Sequence, residues 1–246
     1  MSKNFELLQQ AEKEQELHRP PVSASSARSR DGLPRRLRLD GRTLEESVRL
    51  VQQLFVSPKE AAPRVVMFTA ANEGAGCTTV CACAGEAMLT QLSGSICLVD
   101  GNTRHPSLHK LFGVDNHRGL TEALSASEPI RSYVQATSNP RISLLSTGAR
   151  PGESFMNMAA LTLRMDQLRR EFDYVLVDSP PANMNAEALA LCHVVDGVVL
   201  VLQSAVTHRA ATRQTADAIE ASGAKVLGAV LNQRTYPIPQ KLYDRL

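Results

Sequence analysis

The chain has 246 residues, 43% of them hydrophobic, with 4% aromatic and no tryptophan, and its 27 Lys and Arg against 25 Asp and Glu give a formal charge of +2. That length fits one large domain, or one domain with a tail, and the balanced charge with few stacking residues argues against nucleic-acid binding. An odd cysteine count of five without a secretory leader argues against a disulfide scaffold, and no apolar run approaches the ~20 residues of a membrane span, so a soluble, reduced, cytoplasmic protein is expected.

Residues 1–18 carry Phe5, Leu7, Leu8 and Ala11 at helical spacing, which predicts a short amphipathic helix. Residues 19–43 are rich in Pro, Ser and Arg without apolar periodicity and read as a disordered linker. Arg28, Arg30, Arg35, Arg36, Arg38 and Arg42 face only Asp31 and Asp40 there, so the linker is locally basic and suited to anionic lipid headgroups or an acidic partner. A second helix is expected from Leu44 to Phe55.

From Arg64 onward short continuous apolar runs predict buried parallel strands: Val65–Ala70, Ile96–Asp100, Ile142–Ser146, Tyr174–Asp178, Val198–Gln203 and Val226–Leu231. Helical stretches such as Thr78–Gln91, Ala159–Phe172 and Arg209–Ser222 lie between them. The alternation predicts an α/β fold with a doubly wound, mostly parallel sheet flanked by helices over residues 44–246, and ligand-binding residues just past the strand ends.

The turn after the first strand runs Asn72-Glu73-Gly74-Ala75-Gly76-Cys77-Thr78-Thr79 and opens a helix. A glycine-rich strand-to-helix turn aims backbone N–H groups and the positive helix end at a phosphate, and Thr78 can offer a hydroxyl to Mg²⁺. A P-loop carries Lys directly after its last glycine; here that position is Cys77, and no Lys or Arg lies between Arg64 and Arg104 to replace it. At a helix N-terminus the thiol is a candidate for a depressed pKa and reactivity. Asp100 and Asp178 each end a buried strand, where a carboxylate needs hydrogen bonds or a cation such as Mg²⁺. Cys81 and Cys83 read as small packed residues, and the six histidines show no metal spacing.

At these residues the chain resembles the cytoplasmic tyrosine autokinases of bacterial exopolysaccharide and capsule synthesis, the BY-kinases. Val99-Asp100-Gly101-Asn102-Thr103-Arg104-His105-Pro106 resembles their second Walker-type motif, and Gly119-Leu120-Thr121-Glu122 the segment that follows. Val177-Asp178-Ser179-Pro180-Pro181 is similar to their Walker B, and Val230-Leu231-Asn232 with Tyr236-Pro237-Ile238-Pro239 to their C-terminal stretch. The resemblance implies a P-loop NTPase fold related to the partitioning ATPases, with ATP and Mg²⁺ as cofactors. It assigns phosphate binding to Gly74, Ala75, Gly76, Cys77, Thr78 and Thr79, and the adenine edge to Asn232. Thr78, Asp100 and Asp178 are assigned to Mg²⁺, with Asp100 and Asp178 as the catalytic carboxylates. Glu46 and Arg49 match an interface motif, Glu-x-x-Arg-x-x-Arg, whose third position is Gln52 here, so a homo-oligomer of the family's ring type is in question. Tyr243 is the candidate phospho-acceptor.

The chain departs from the family at three positions: Cys77 for the phosphate-binding Lys, Asn102 for a second Asp and Gln52 for an interface Arg. Phosphoryl transfer rests on positioning and charge stabilisation, so the loss at Cys77 implies weak or absent kinase activity. The leading expectation is a regulatory partner of a separate membrane chain-length or export protein, held peripherally at the inner membrane. An active tyrosine autokinase and a partitioning or septum-placing ATPase are the alternatives. The latter carry a second Lys early in the loop, where this chain has Ala71, Asn72 and Glu73.

Overall fold

A computed structural model describes residues 39–57, 62–149 and 157–234. The expected helix of residues 1–18 and most of the linker lie outside these residues. Helix α1 spans Gly41–Val51, three residues earlier than the expected start at Leu44. Asp40 explains the earlier start: its Oδ1 accepts the Thr43 N–H at 2.7 Å and caps the first turn. The helix passes into a π turn, Gln52–Val56, that buries Leu54 and Phe55.

The remaining elements follow in chain order: β1 (Val65–Ala70), α2 (Cys77–Gln91), β2 (Ile96–Asp100), α3 (Leu108–Phe112), α4 (Leu120–Ser125), a 3₁₀ turn (Ile130–Tyr133), β3 (Gln135–Ala136), β4 (Ile142–Leu145), α5 (Met158–Glu171), β5 (Tyr174–Asp178), α6 (Ala186–Cys192), β6 (Gly197–Gln203), α7 (Arg209–Ala221) and β7 (Val226–Asn232). The sheet order is β3-β4-β2-β5-β1-β6-β7. Every pairing is parallel except β3 with β4. The six strands expected from apolar runs are present within a residue or so of their expected ends; β3, a two-residue antiparallel edge, is additional.

Both faces of the sheet are covered, which is why its central strands are apolar throughout rather than alternating. Val65 and Met67 face one way, toward α5 and α6 residues such as Leu161, Leu168 and Leu191. Val66, Phe68 and Ala70 face the other way, toward α1 and α2 through Val51, Phe55, Ala84 and Met88. Gly85 lets α2 approach β2 closely, since a Cβ there would meet Leu98 Cδ2 at 2.9 Å. Arg164 of α5 is 3% exposed and donates to the carbonyls of Ala123, Ala126 and Glu128, so it holds the turn after α4 against the core.

The order places β1 between β5 and β6, with β2 on the far side of β5. The chain therefore leaves β1, β2 and β5 at neighbouring points on one edge, where such sheets bind ligands.

Candidate functional site

The loop from β1 to α2 makes two left-handed turns, at Gly74 (φ 77°) and Gly76 (φ 84°), conformations open to glycine at little cost. Gly76 is also sterically required, because a Cβ there would lie 2.4 Å from Asn232 Nδ2. Asn232, at the end of β7, donates Nδ2 to the Ala75 carbonyl at 2.9 Å; its neighbour Gln233 donates Nε2 to the Gly74 carbonyl at the same distance. On the other side, Asn72 accepts from the Thr207 hydroxyl at 2.7 Å. These bonds hold two loop carbonyls on the β7 side. Cys77, Thr78 and Thr79 are the first three residues of α2, where backbone N–H groups have no intrahelical acceptor.

The loop forms one wall of a cavity of about 380 Å³. Gly74, Ala75, Gly76, Cys77, Thr78 and Thr79 all line it. Opposite stand Asn102, Arg104, His105 and Ser107 from the segment after β2, with Ser179 and Pro180 from the segment after β5. A second groove of about 670 Å³ shares Thr79 with the first and contains Asn232, Glu46 and Arg49. The Asn232 side-chain N–H is engaged by the loop.

Asp100 and Asp178 are register partners on adjacent strands, and both are fully buried. Asp178 Oδ2 accepts the Thr78 hydroxyl at 2.6 Å, and Thr78 in turn accepts from the Ser107 hydroxyl at 3.2 Å. Asp178 Oδ1 is buried without a hydrogen-bond partner. Burial, and then the charge of Asp100, push the Asp178 carboxyl up to about 7. An orphaned carboxylate oxygen beside a threonine hydroxyl fits a hydrated magnesium ion, which would relieve the buried charge. Asp100 is more heavily committed: Oδ1 accepts the Asn102 N–H, and Oδ2 accepts those of Ser107 and Leu108, at 3.0–3.2 Å. Burial raises its pKa against the opposing effect of these bonds.

Cys77 behaves differently from the acidified thiol expected at a helix N-terminus. Burial, and then the Asp178 carboxylate, raise its pKa well above the ordinary thiol value. Burial, reinforced by the Asp178 charge, keeps the thiol protonated and neutral. Cys81 and Cys83 are buried, Cys81 within the α1–α2 face of the core.

Glu46 and Arg49 are exposed on α1 and pair with each other at 3.4 Å. Gln52 donates to Gln91 Oε1 at 2.9 Å, binding the end of α1 to the end of α2. Tyr243 lies outside the described residues. Sequence reasoning missed the pocket roles of Ser107, Gln233 and Arg104. Gln233 carries no motif signal, whereas Arg104 lies in the segment after β2 whose sequence resembles the second Walker-type motif and Ser107 in its continuation.

A parallel sheet with a glycine loop, a threonine and a strand-end carboxylate at one edge defines a protein with the P-loop NTPase fold. Among solved structures, the chimerical protein CapA2B2 is similar with a TM-score of 0.72 and 25% identity, over 78% of this chain and 85% of that one. The kinase domain of the Escherichia coli tyrosine kinase ETK gives 0.68 and 21%, over 80% and 79%. The septum site-determining protein MinD of Pyrococcus horikoshii, complexed with Mg-ADP, shares the fold at 0.59 and 20% identity, over 74% and 76%. By sequence, the chain is 29% identical over 171 residues to the tyrosine-protein kinase YwqD of Bacillus subtilis, covering 68% of this chain and 71% of that protein. It is 25% identical to the tyrosine-protein kinase CpsD of Streptococcus agalactiae, over 69% and 74%. It also matches the tyrosine-protein kinase EpsB of Ralstonia solanacearum, named as putative, at 27% identity, over 78% of this chain and a quarter (26%) of that longer protein. No protein-family model matches. The relatives named by sequence are tyrosine-protein kinases and a solved tyrosine-kinase domain shares the fold, so the chain is similar to the BY-kinases. Among the described residues, no helix is long and apolar enough to cross a membrane.

Proposed function

We propose that this is a BY-kinase-like protein of exopolysaccharide or capsule synthesis that binds Mg-ATP weakly and transfers phosphate to tyrosine poorly or not at all. Its role is that of a cytoplasmic regulatory partner for a membrane chain-length or export protein, which holds it at the inner membrane. The tyrosine-kinase relatives support the family context. The observation that carries the reduced activity is Cys77: a neutral thiol beside Asp178 stands where the phosphate loop needs a positive charge.

The loop N–H groups and the end of α2 receive the phosphates, and Asn232 faces the base. Thr78 and the free oxygen of Asp178 are suited to hold the magnesium, which when bound supplies charge neutralisation to the phosphate oxygens. Asp100 orders the 102–108 segment through its accepted N–H bonds. Its buried carboxylate is the candidate proton acceptor for a tyrosine hydroxyl, with Tyr243 as the candidate substrate. Glu46 and Arg49 are exposed and available for subunit contacts in a homo-oligomer.

Calorimetric titration with Mg-ATP tests this reading. The natural chain is expected to bind weakly, and Cys77→Lys to bind about tenfold or more tightly, since a hydrogen bond to a charged group contributes ~1.5–3 kcal/mol. Tight binding by the natural chain, unchanged by Cys77→Lys, contradicts it. A working autokinase is the competing reading, favoured by the kinase activity named for the relatives.

A further inference from the structure

The two edges of the sheet are guarded unequally. One is β3, two residues long, and so short a strand offers little to pair with. The other is β7, seven residues reading Val-Leu-Gly-Ala-Val-Leu-Asn, with neither a charge nor a proline along it. It pairs with β6, and among the described residues no strand pairs its other side. The Ser204 N–H donates to the Asn232 carbonyl, so Asn232 and Val230 direct their backbone groups to β6, and by alternation those of Leu231 and Ala229 face outward. The register irregularity lies at the start of the strand, opposite Val198 and Val199, and leaves this stretch regular. Soluble proteins block such an edge with charge, proline or a bulge, and a bare one is a template for another strand.

A trough runs along this edge. One half, a groove of about 920 Å³, takes in Lys225 to Ala229 together with Leu50, Leu54 and Pro63. The other half is the groove of about 670 Å³ beside Asn232, and both contain Leu50, Gln53 and Ala229. Together they follow all of β7, seven residues or roughly 23 Å of strand. The half at Lys225 shares no lining residue with the phosphate cavity. Leu231, 57% exposed, adds apolar surface at the other end. The charge is lopsided: Arg42, Arg49, Arg64, Arg169, Lys225 and Arg234 line the trough against Glu46 and Asp196. Both carboxylates are already paired within the trough, Glu46 with Arg49 and Asp196 with Arg169. The whole chain carries 27 basic and 25 acidic residues, so this excess is local and complements an acidic occupant.

We infer that the open edge of β7 is a docking site for an extended segment of another protein, one bearing apolar and acidic side chains, which joins the seven-stranded sheet as a further strand. Its backbone pairs with the outward groups of Ala229 and Leu231. Its side chains meet the apolar wall that Leu50 and Leu54 present and the basic rim of the trough. Main-chain pairing supplies the affinity, and the rim selects the sign of the partner's charge. This site is separate from the nucleotide reading and stands whether or not the phosphate cavity binds ATP.

Fluorescence anisotropy with the full chain tests it, using three labelled, end-capped peptides. The first alternates Glu and Val over seven residues, the second replaces its Glu by Lys, and the third replaces its Val by Pro. The Glu-Val peptide should bind, more weakly as salt rises, and the Lys-Val peptide should not. The Glu-Pro peptide has the same charge but cannot pair as a strand, and should bind about tenfold or more weakly than the Glu-Val peptide. Ala229→Pro removes an outward N–H from an edge strand and should weaken Glu-Val binding to a similar extent, with far-ultraviolet circular dichroism retained. Arg42→Glu combined with Lys225→Glu should abolish the salt-dependent part, whereas Arg213→Glu, an exposed charge change on α7, should leave binding unchanged. Failure of the Glu-Val peptide to bind the natural chain overturns the inference, as does equal binding of the Lys-Val or the Glu-Pro peptide. A dimer of the natural chain in sedimentation that Ala229→Pro converts to monomer assigns the edge to a second copy and likewise overturns it.

Discussion

Ionising the buried Asp178 carboxyl is costly in the folded protein. In an unfolded chain its carboxyl loses its proton near the ordinary value of 3.8, but in the fold only near about 7. Between those values the folded state holds the extra proton, so the contribution of Asp178 to stability falls as pH rises from 3.8 toward 7. Asp100 shifts in the same direction, for the same reason of burial. Asp178→Asn keeps an acceptor for Thr78 without the charge. In the presence of a chelator it should raise Tm near neutral pH and flatten the decline in Tm between about pH 5 and 7. It should also remove the stabilisation given by Mg²⁺ with ATP. Thermal melts over a pH series check both effects, and an unchanged slope in the variant would assign the decline to other groups.

At the scale of elements, the latch between the loop and β7 makes Gly76 indispensable. Gly76→Ala meets a left-handed φ and the Asn232 amide at once, so the Asn232–Ala75 bond must break. We expect a loss of ~1–3 kcal/mol in stability and near-complete loss of Mg-ATP binding with retained far-ultraviolet circular dichroism. Retained binding would show that the latch does not position the loop. Arg164→Ala probes packing instead of the site. It removes a buried guanidinium that serves three carbonyls and should cost ~2–4 kcal/mol in chemical denaturation, while nucleotide affinity stays unchanged. The long elements were readable because apolar runs mark buried strands, and α2, α5 and α7 each span more than three turns. The helices α3, α4 and α6 were not read because five to seven residues give too little periodicity to register. The early start of α1 was legible in principle from Asp40 followed by Thr43, a side-chain cap overshadowed by the basic composition around it.

Across the whole molecule, the sheet order explains why the site was partly legible. Asp100 and Asp178 end their strands and Thr78 opens the helix after the glycine turn, so their meeting at one edge was legible from the strand-helix alternation. Ser107 and Gln233 meet the loop and its helix because β2 and β7 deliver them there. No local pattern encodes such a meeting. The same geography separates two tasks: one edge of the sheet holds the phosphate cavity, and α1 presents Glu46 and Arg49 beside the neighbouring groove.

That central claim, nucleotide binding with little transfer, is tested most directly by measuring phosphotyrosine on the purified full chain incubated with Mg-ATP, alongside Cys77→Lys. The account predicts little or no phosphotyrosine on the natural chain and a clear rise in the lysine variant. Robust tyrosine phosphorylation by the natural chain, not increased by Cys77→Lys, would contradict it.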